Sequence, residues 1–125
     1  MSGGEAHYPG QAPIEAYGNG GFRFAGMSHK GSLMCLPSGV FAWPVNRIAD
    51  LTPSDFSRVF AEPARVSFVL LGAGSALVRP SPAVRRAFED AGVGLDVMDT
   101  GAACRTYNVL LAEGRPVAAA LIAVD

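Results

Sequence analysis

The stretch Val66-Ser-Phe-Val-Leu-Leu-Gly-Ala-Gly74 decides the fold class of this chain of 125 residues. Its first six residues carry no charge and are mostly Val, Phe and Leu, and the run stops at two glycines. A short apolar run of this kind is typical of a β-strand that is buried on both faces. Such strands lie at the centre of sheets with helices above and below, so the stretch predicts an α/β domain.

Two further apolar runs, Val93–Met98 and Val117–Val124, follow the first one, and helical patterns separate the three runs. This alternation predicts parallel strands that are joined by right-handed helical crossovers. Thr52 and Ser81 are expected helix caps, because each precedes a proline that suits the first helical position. The expected helices run from Thr52 to Pro63, from Ser81 to Gly92 and from Gly101 to Glu113.

The part of the chain before the first helix is predicted to be antiparallel β-structure. Alternating apolar and polar residues around a glycine-rich turn indicate one hairpin over Ile14–Ala25. Two apolar strands on either side of a tight turn at Ser38-Gly39 indicate another over Ser32–Trp43. Between the hairpins, Met27–Gly31 is predicted to be a turn. Residues 1–13 are rich in Gly, Pro and Ala and are predicted to form a flexible leader. A single domain is therefore expected over residues 14–125.

Composition excludes several classes of function. The net charge of −1 gives no electrostatic reason to expect a nucleic-acid partner. No apolar run approaches the roughly 20 residues that span a bilayer, so direct membrane insertion is not expected. The two cysteines are interpreted as reduced thiols of a cytoplasmic protein, or of a mitochondrial matrix protein in a eukaryote. His7, His29 and the cysteines show no metal-ligand spacing, and no metal or other cofactor is predicted.

The segment from Met98 to Ile122 resembles the signature of the Mth938-like domain family, a former domain of unknown function. Its most specific part is Arg105-Thr-Tyr-Asn108, and Leu71–Gly74 and Pro37–Pro44 also match. The family includes a mitochondrial assembly factor of respiratory complex I and many uncharacterised bacterial proteins. One departure is Ala73, where relatives commonly carry Thr.

This resemblance implies a three-layer fold with a central mixed sheet, flanking helices and an N-terminal antiparallel β layer. It also implies a non-catalytic module that works through protein contacts, with no enzyme activity. The implied partner is a protein, and by extension a membrane-associated respiratory complex. The oligomeric state is left open.

Six residues are candidates for a ligand or interaction site. Parallel strands of an open α/β sheet bring their C-terminal loops to the same edge, which is where ligands usually bind. Glycines end the first of these strands, a possible N-cap ends the second, and two polar side chains share a face of the third helix. The candidates are Gly72, Gly74, Asp99, Thr100, Arg105 and Asn108.

Each candidate has a structural interpretation beside the functional one. The glycines serve a sharp turn, Asp99 or Thr100 caps the helix, and Arg105 forms an ion pair with a carboxylate such as Asp99. The alternative function is a small anionic-ligand binder or an enzyme that uses the Gly72–Gly74 loop and residues 99–108. A dinucleotide site is disfavoured, because the next helix begins near Pro82, too far from the glycines to hold a phosphate.

Overall fold

The computed structural model describes residues 8–62, 64 and 66–125. His7, the first seven residues of the predicted leader and the predicted helix end at Pro63 lie outside the described residues. Two short 3-10 helices, Ile48–Asp50 and Pro53–Phe56, precede the first α-helix. The regular elements are β1 (Ile14–Gly18), β2 (Gly21–Phe24), β3 (Met27–Lys30), β4 (Ser32–Leu36), β5 (Gly39–Trp43), α1 (Ser57–Phe60), β6 (Phe68–Gly72), α2 (Pro82–Ala91), β7 (Gly94–Met98), α3 (Thr100–Ala112) and β8 (Ala118–Leu121).

A mixed five-stranded sheet with the strand order β5-β4-β8-β6-β7 forms the middle of the molecule. β6, β7 and β8 are parallel, whereas β4 runs antiparallel to both β5 and β8. In the register of the sheet, Ala119 of β8 lies between Cys35 of β4 and Leu70 of β6. The stretch that ends at Gly74 therefore supplies an internal strand, and the middle position belongs to β8.

One face of this sheet is covered by α1 and α2. Phe56 is the centre of an aromatic cluster, with its ring centroid 5.5 Å from that of Trp43 and 4.9 Å from that of Phe88. The Trp43 indole Nε1 donates a hydrogen bond of 2.9 Å to the Asp55 carbonyl, so this buried side chain has a polar partner. Burial of these rings is a large favourable term in folding.

The other face is covered by α3 and by the antiparallel sheet of β1, β2 and β3. Tyr107 and Ala103 of α3 are fully buried there, together with Phe24 of β2 and Ile14 of β1. The predicted central mixed sheet, flanking helices and N-terminal antiparallel layer are confirmed.

The predicted turn at Met27–Gly31 is wrong, because Met27–Lys30 forms β3 and pairs with β2. The turn lies at Ala25-Gly26, between β2 and β3. Ala25 and Gly26 have φ angles of 50° and 74°, as in the two-residue turns that match the twist of a β-hairpin. Alanine is an unusual residue at such a position, so the sequence lacked the usual Asn-Gly or Asp-Gly signal.

The described part of the predicted leader, residues 8–13, contacts the rest of the domain. The Tyr8 carbonyl accepts a hydrogen bond of 3.0 Å from the Val40 amide, which gives the outer edge of β5 a bridge partner. Ala12 is buried, and the Gln11 side chain donates to the Val117 carbonyl at 3.2 Å. The described residues before Ile14 therefore lie against the domain.

The first predicted helix is shorter and less regular than expected. A 3-10 turn over Pro53–Phe56 is followed by a single α-helical turn. Thr52 begins it as expected, with its backbone amide donating to the Asp55 carboxylate at 2.8 Å. Phe60, an expected core residue, is 38% exposed because the helix ends there. Its ring meets that of Phe88 edge to face, with the two centroids 5.1 Å apart.

The thiols of Cys35 and Cys104 and the phenol of Tyr107 are buried on the face of the central sheet that α3 covers. Cys35 and Cys104 are free and buried, and the Tyr107 hydroxyl lies beside Cys35. Burial raises the pKa of each thiol to about 12, since a thiolate there would lose its hydration. Burial also raises the pKa of Tyr107 above its ordinary value. Because the thiolate is the reactive form, these cysteines are poor nucleophiles.

We expect the protein to lose stability as the pH rises from about 9 towards 12. The unfolded chain releases each thiol proton near the ordinary pKa of 9.0, whereas the folded chain holds it to about 12. The unfolded state thus binds fewer protons in this window and is favoured, by about 3 kcal/mol at pH 10 for the two thiols together. Urea unfolding at pH 8 and pH 10 measures the loss. The free energy of unfolding of the Cys35→Ala/Cys104→Ala double variant should fall by correspondingly less between these two pH values. An equal fall in both proteins would contradict the prediction.

Candidate functional site

The loops after β6 and β7 lie side by side at one edge of the central sheet. The Ala73 amide donates to the Met98 carbonyl at 2.8 Å, and the Thr100 amide donates to the Gly74 carbonyl at 2.8 Å. These bonds extend the pairing of the two parallel strands beyond their ends. Gly72, Gly74, Asp99 and Thr100 are therefore brought together, as the parallel arrangement predicts.

Thr100 is a fully buried polar residue at the centre of this edge. Its hydroxyl donates a hydrogen bond of 2.7 Å to the Ile122 carbonyl and accepts one of 3.0 Å from the Gly74 amide. One side chain thus joins the ends of β6 and β8 to the start of α3. Gly72 fits against it closely, since a Cβ at Gly72 would lie 3.0 Å from both Cα and Oγ1 of Thr100.

Asp99 is the N-cap of α3. Its Oδ1 atom accepts a hydrogen bond of 2.8 Å from the Ala102 amide, and its backbone is extended rather than helical. A carboxylate at this position satisfies one free amide of the helix and interacts favourably with the helix dipole. The capping interpretation therefore describes what the Asp99 side chain does in this structure.

Asn108 joins α3 to the antiparallel sheet. Its Oδ1 atom accepts a hydrogen bond of 2.8 Å from the Ile14 amide, and its Nδ2 atom donates one of 2.9 Å to the Ile14 carbonyl. The amide thereby pairs with β1 as a neighbouring strand would. Both the oxygen and the nitrogen of this side chain therefore bond to the backbone of Ile14.

Arg105 is exposed. Both Arg105 and Asp99 are among the described residues, and no ion pair joins them. The expected pairing fails because positions six apart on a helix point in different directions. The Arg105 guanidinium instead lies near Gly101. A Cβ at Gly101 would lie 3.4 Å from Arg105 Nη1 and would collide with the Tyr17 hydroxyl.

A cleft of about 650 Å³ opens at this edge of the sheet. Gly74 and Asp99 line it together with Tyr17 and Arg47, whereas Thr100, Arg105 and Asn108 do not. The six candidate residues therefore do not converge on one cavity, and the side chains of Asp99, Thr100 and Asn108 are occupied by internal hydrogen bonds. This geometry gives the alternative of an anionic-ligand site no support.

Two further observations concern the described residues as a whole. Within residues 8–62, 64 and 66–125, no three His, Cys, Asp or Glu side chains are grouped so that they could hold a metal ion. In the same ranges, no helix has the length and apolar character that crossing a bilayer requires.

Comparison with known proteins identifies the family. Residues 14–122 match the family described as "Protein of unknown function (DUF498/DUF598)". The chain belongs to this family. A crystal structure from Bartonella henselae, described as an outer membrane protein, is 49% identical, with a TM-score of 0.90 over 95% of this chain and 100% of that chain. A solution structure from Bordetella pertussis, described as an Mth938-like domain, is 32% identical, with a TM-score of 0.76 over 90% of this chain and 85% of that one.

A curated relative has a name that describes a role. The protein called NADH dehydrogenase [ubiquinone] 1 alpha subcomplex assembly factor 3 from Mus musculus is 34% identical over 94% of this chain. The match covers 64% of that relative, so the chain spans less than two thirds of its length. The resemblance to the Mth938-like domains, including a complex I assembly factor, is confirmed.

Sequence reasoning missed part of the surface of this DUF498/DUF598 domain. Tyr17 lies over the first turn of α3 although it is 84 positions away from Gly101 in the chain (101 − 17). Arg47 reaches the cleft from the segment before the first 3-10 helix. Neither residue belongs to a motif, and only the packing of β1 on α3 brings Tyr17 to the site. No local signal in the sequence could have indicated either one.

Proposed function

We propose that this chain is a non-catalytic protein-interaction module that assists the assembly of a membrane-associated respiratory complex. The observation that carries the proposal is the likeness to the mouse assembly factor, which extends over 94% of this chain. The module acts from the cytoplasm, or from the mitochondrial matrix in a eukaryote, and its partners are proteins.

The loop between β6 and α2 supports the proposal. Leu77 is 61% exposed and Val78 is 46% exposed, and the two apolar side chains are adjacent. Val78 also lines the 650 Å³ cleft, so the apolar surface continues into a concave one. Neighbouring apolar side chains on a surface are a common feature of protein interaction sites. We assign the contact with the partner to this loop.

A deletion strain of the native source tests the proposal. The amount of assembled respiratory NADH dehydrogenase, measured by native electrophoresis, should fall on deletion and return with the wild-type chain. The Leu77→Ser/Val78→Ser variant should restore less of it, because the apolar contact is lost. Val109→Ser is the matched control, since Val109 is an exposed apolar residue of α3 outside this loop. An unchanged amount of the complex in the deletion strain would refute the proposal.

A further inference from the structure

The outer edge of β7 carries unpaired backbone groups. The Gly94 amide donates to the Ser67 carbonyl at 2.9 Å, and the Met98 carbonyl accepts from Ala73, so both residues point towards β6. Alternate residues of a strand direct their amide and carbonyl groups to the same side. Leu95 and Val97 therefore direct theirs away from β6. β7 ends the strand order of the central sheet, and no described strand lies beyond it.

Two other sheet edges are covered within the described part of the chain. The outer edge of β5 pairs with Tyr8, and the outer edge of β1 pairs with the Asn108 amide. Natural proteins usually protect the edges of their sheets, because an open edge is a template for pairing with another chain. Among the described residues, β3 and β7 are the two end strands with no strand or bridge beyond them, and β7 is the one that belongs to the central sheet.

A groove of about 490 Å³ runs beside the open edge, between β7, α2 and the β6–α2 loop. Leu95 and Val97 form part of its wall together with Phe88, and the exposed Leu77 stands at its rim. The charged residues that line it are Arg79 of the loop, Arg85 and Glu89 of α2, and Asp96 of β7. A segment that paired with β7 would place alternate side chains in this apolar groove.

Asp96 gives the opposite face of β7 a negative charge. It is exposed, and it points to the other side of the sheet from Leu95 and Val97 because successive side chains of a strand alternate. If two copies of the chain paired antiparallel with Leu95 opposite Val97, the two Asp96 carboxylates would face each other. Like charges directly opposite destabilise a strand pair. A basic residue at that position would instead be attracted.

We propose that the β7 edge binds an extended segment of a partner protein as a sixth strand of the central sheet. The segment carries a lysine or arginine opposite Asp96, and the residues on either side of that position are apolar and enter the groove. This inference rests on the proposed function, because it specifies how the interaction module holds its partner.

The test uses two acetylated peptides, Lys-Val-Lys-Val-Lys and Glu-Val-Glu-Val-Glu, with the full chain. The expected result is that the basic peptide slows hydrogen exchange of the Leu95 and Val97 amides by about tenfold at about 90% occupancy, because both amides become hydrogen-bonded. The acidic peptide should bind about three- to tenfold more weakly. Unchanged exchange at β7 with the basic peptide in excess would overturn the proposal. Slow exchange that grows with protein concentration alone would also overturn it, in favour of a second copy.

Two variants and a control separate backbone pairing from charge. Val97→Pro removes an outward amide that no strand of the domain uses, a change that edge strands tolerate, and it should abolish binding. Asp96→Lys should reverse the preference between the two peptides. Asp90→Lys changes a charge on α2 outside the groove and should leave the preference unaltered. Binding that survives Val97→Pro in a folded variant would contradict strand addition.

The outcomes distinguish this inference from the proposed function. If the deletion strain loses the assembled complex but neither peptide protects β7, the strand addition is refuted and the proposed function stands. If the basic peptide protects β7 but the deletion strain assembles the complex normally, the edge is a peptide site of a protein with another role.

Discussion

Thr100→Val is expected to lower the free energy of unfolding by about 2–6 kcal/mol, because the substitution leaves one buried and one partly buried backbone group without a partner. The lost partners are the Gly74 amide and the Ile122 carbonyl, which the hydroxyl now joins at 3.0 and 2.7 Å. Valine fills nearly the same volume, so the loss reports on hydrogen bonding rather than on a cavity. Urea unfolding of the two proteins at neutral pH measures the difference.

Thr106→Val is the matched control for this substitution. Thr106 lies on the same helix, is partly buried and makes only a long contact of 3.8 Å with the Met98 sulfur. Its replacement should cost less than about 1 kcal/mol. If the two variants lose the same amount of stability, the Thr100 hydroxyl does not connect β6, β8 and α3 in the way described above.

Asn108→Ala is expected to cost about 2–5 kcal/mol, since the amide group and the carbonyl group of Ile14 both lose a partner near the core. The effect should be uneven across the molecule. The antiparallel sheet loses its hydrogen bonds to the Asn108 side chain, so the Ile14 amide should exchange with solvent much faster, whereas the amides of β6 should change only with the global stability. Hydrogen exchange followed residue by residue distinguishes these two effects.

The control for this prediction is Asn46→Ala, which removes the same chemical group from an exposed position. It should change the free energy of unfolding by less than about 0.5 kcal/mol. A uniform increase of exchange in β1 and β6 after Asn108→Ala would mean that the antiparallel sheet and the central sheet unfold together. The local role assigned to the Asn108 amide would then be wrong.

Local signals in the sequence were sufficient for much of the fold. The uncharged run before Gly72 predicts an internal strand, and it is buried on both faces. Ser81 followed by Pro82 predicts the start of α2, where the Ser81 hydroxyl accepts from the Val84 amide. Gly92, with a φ of 70°, ends that helix as predicted. Each of these features depends on residues a few positions apart, which is why the sequence reveals them.

Long-range contacts account for what the sequence did not predict. Asn108 and Ile14 are 94 positions apart, and nothing near either residue indicates that a side-chain amide would pair with a strand. Tyr8 lies in a glycine- and proline-rich segment, so its bridge to Val40 depends on the open edge of β5 rather than on its own neighbours. Gly72, Gly74, Asp99 and Thr100 lie together at one edge of the sheet, but their hydrogen-bond partners could only be read from the packed structure.

The position of β8 has a consequence for how the protein is made. This strand lies between β4 and β6, yet it follows every other strand and helix in the chain. The ribosome therefore produces both halves of the sheet before the strand that unites them. During synthesis, the edges of β4 and β6 that later pair with β8 have no partner. Unpaired strand edges of this kind favour aggregation. Completion of the core must therefore wait until Leu121 has left the exit tunnel.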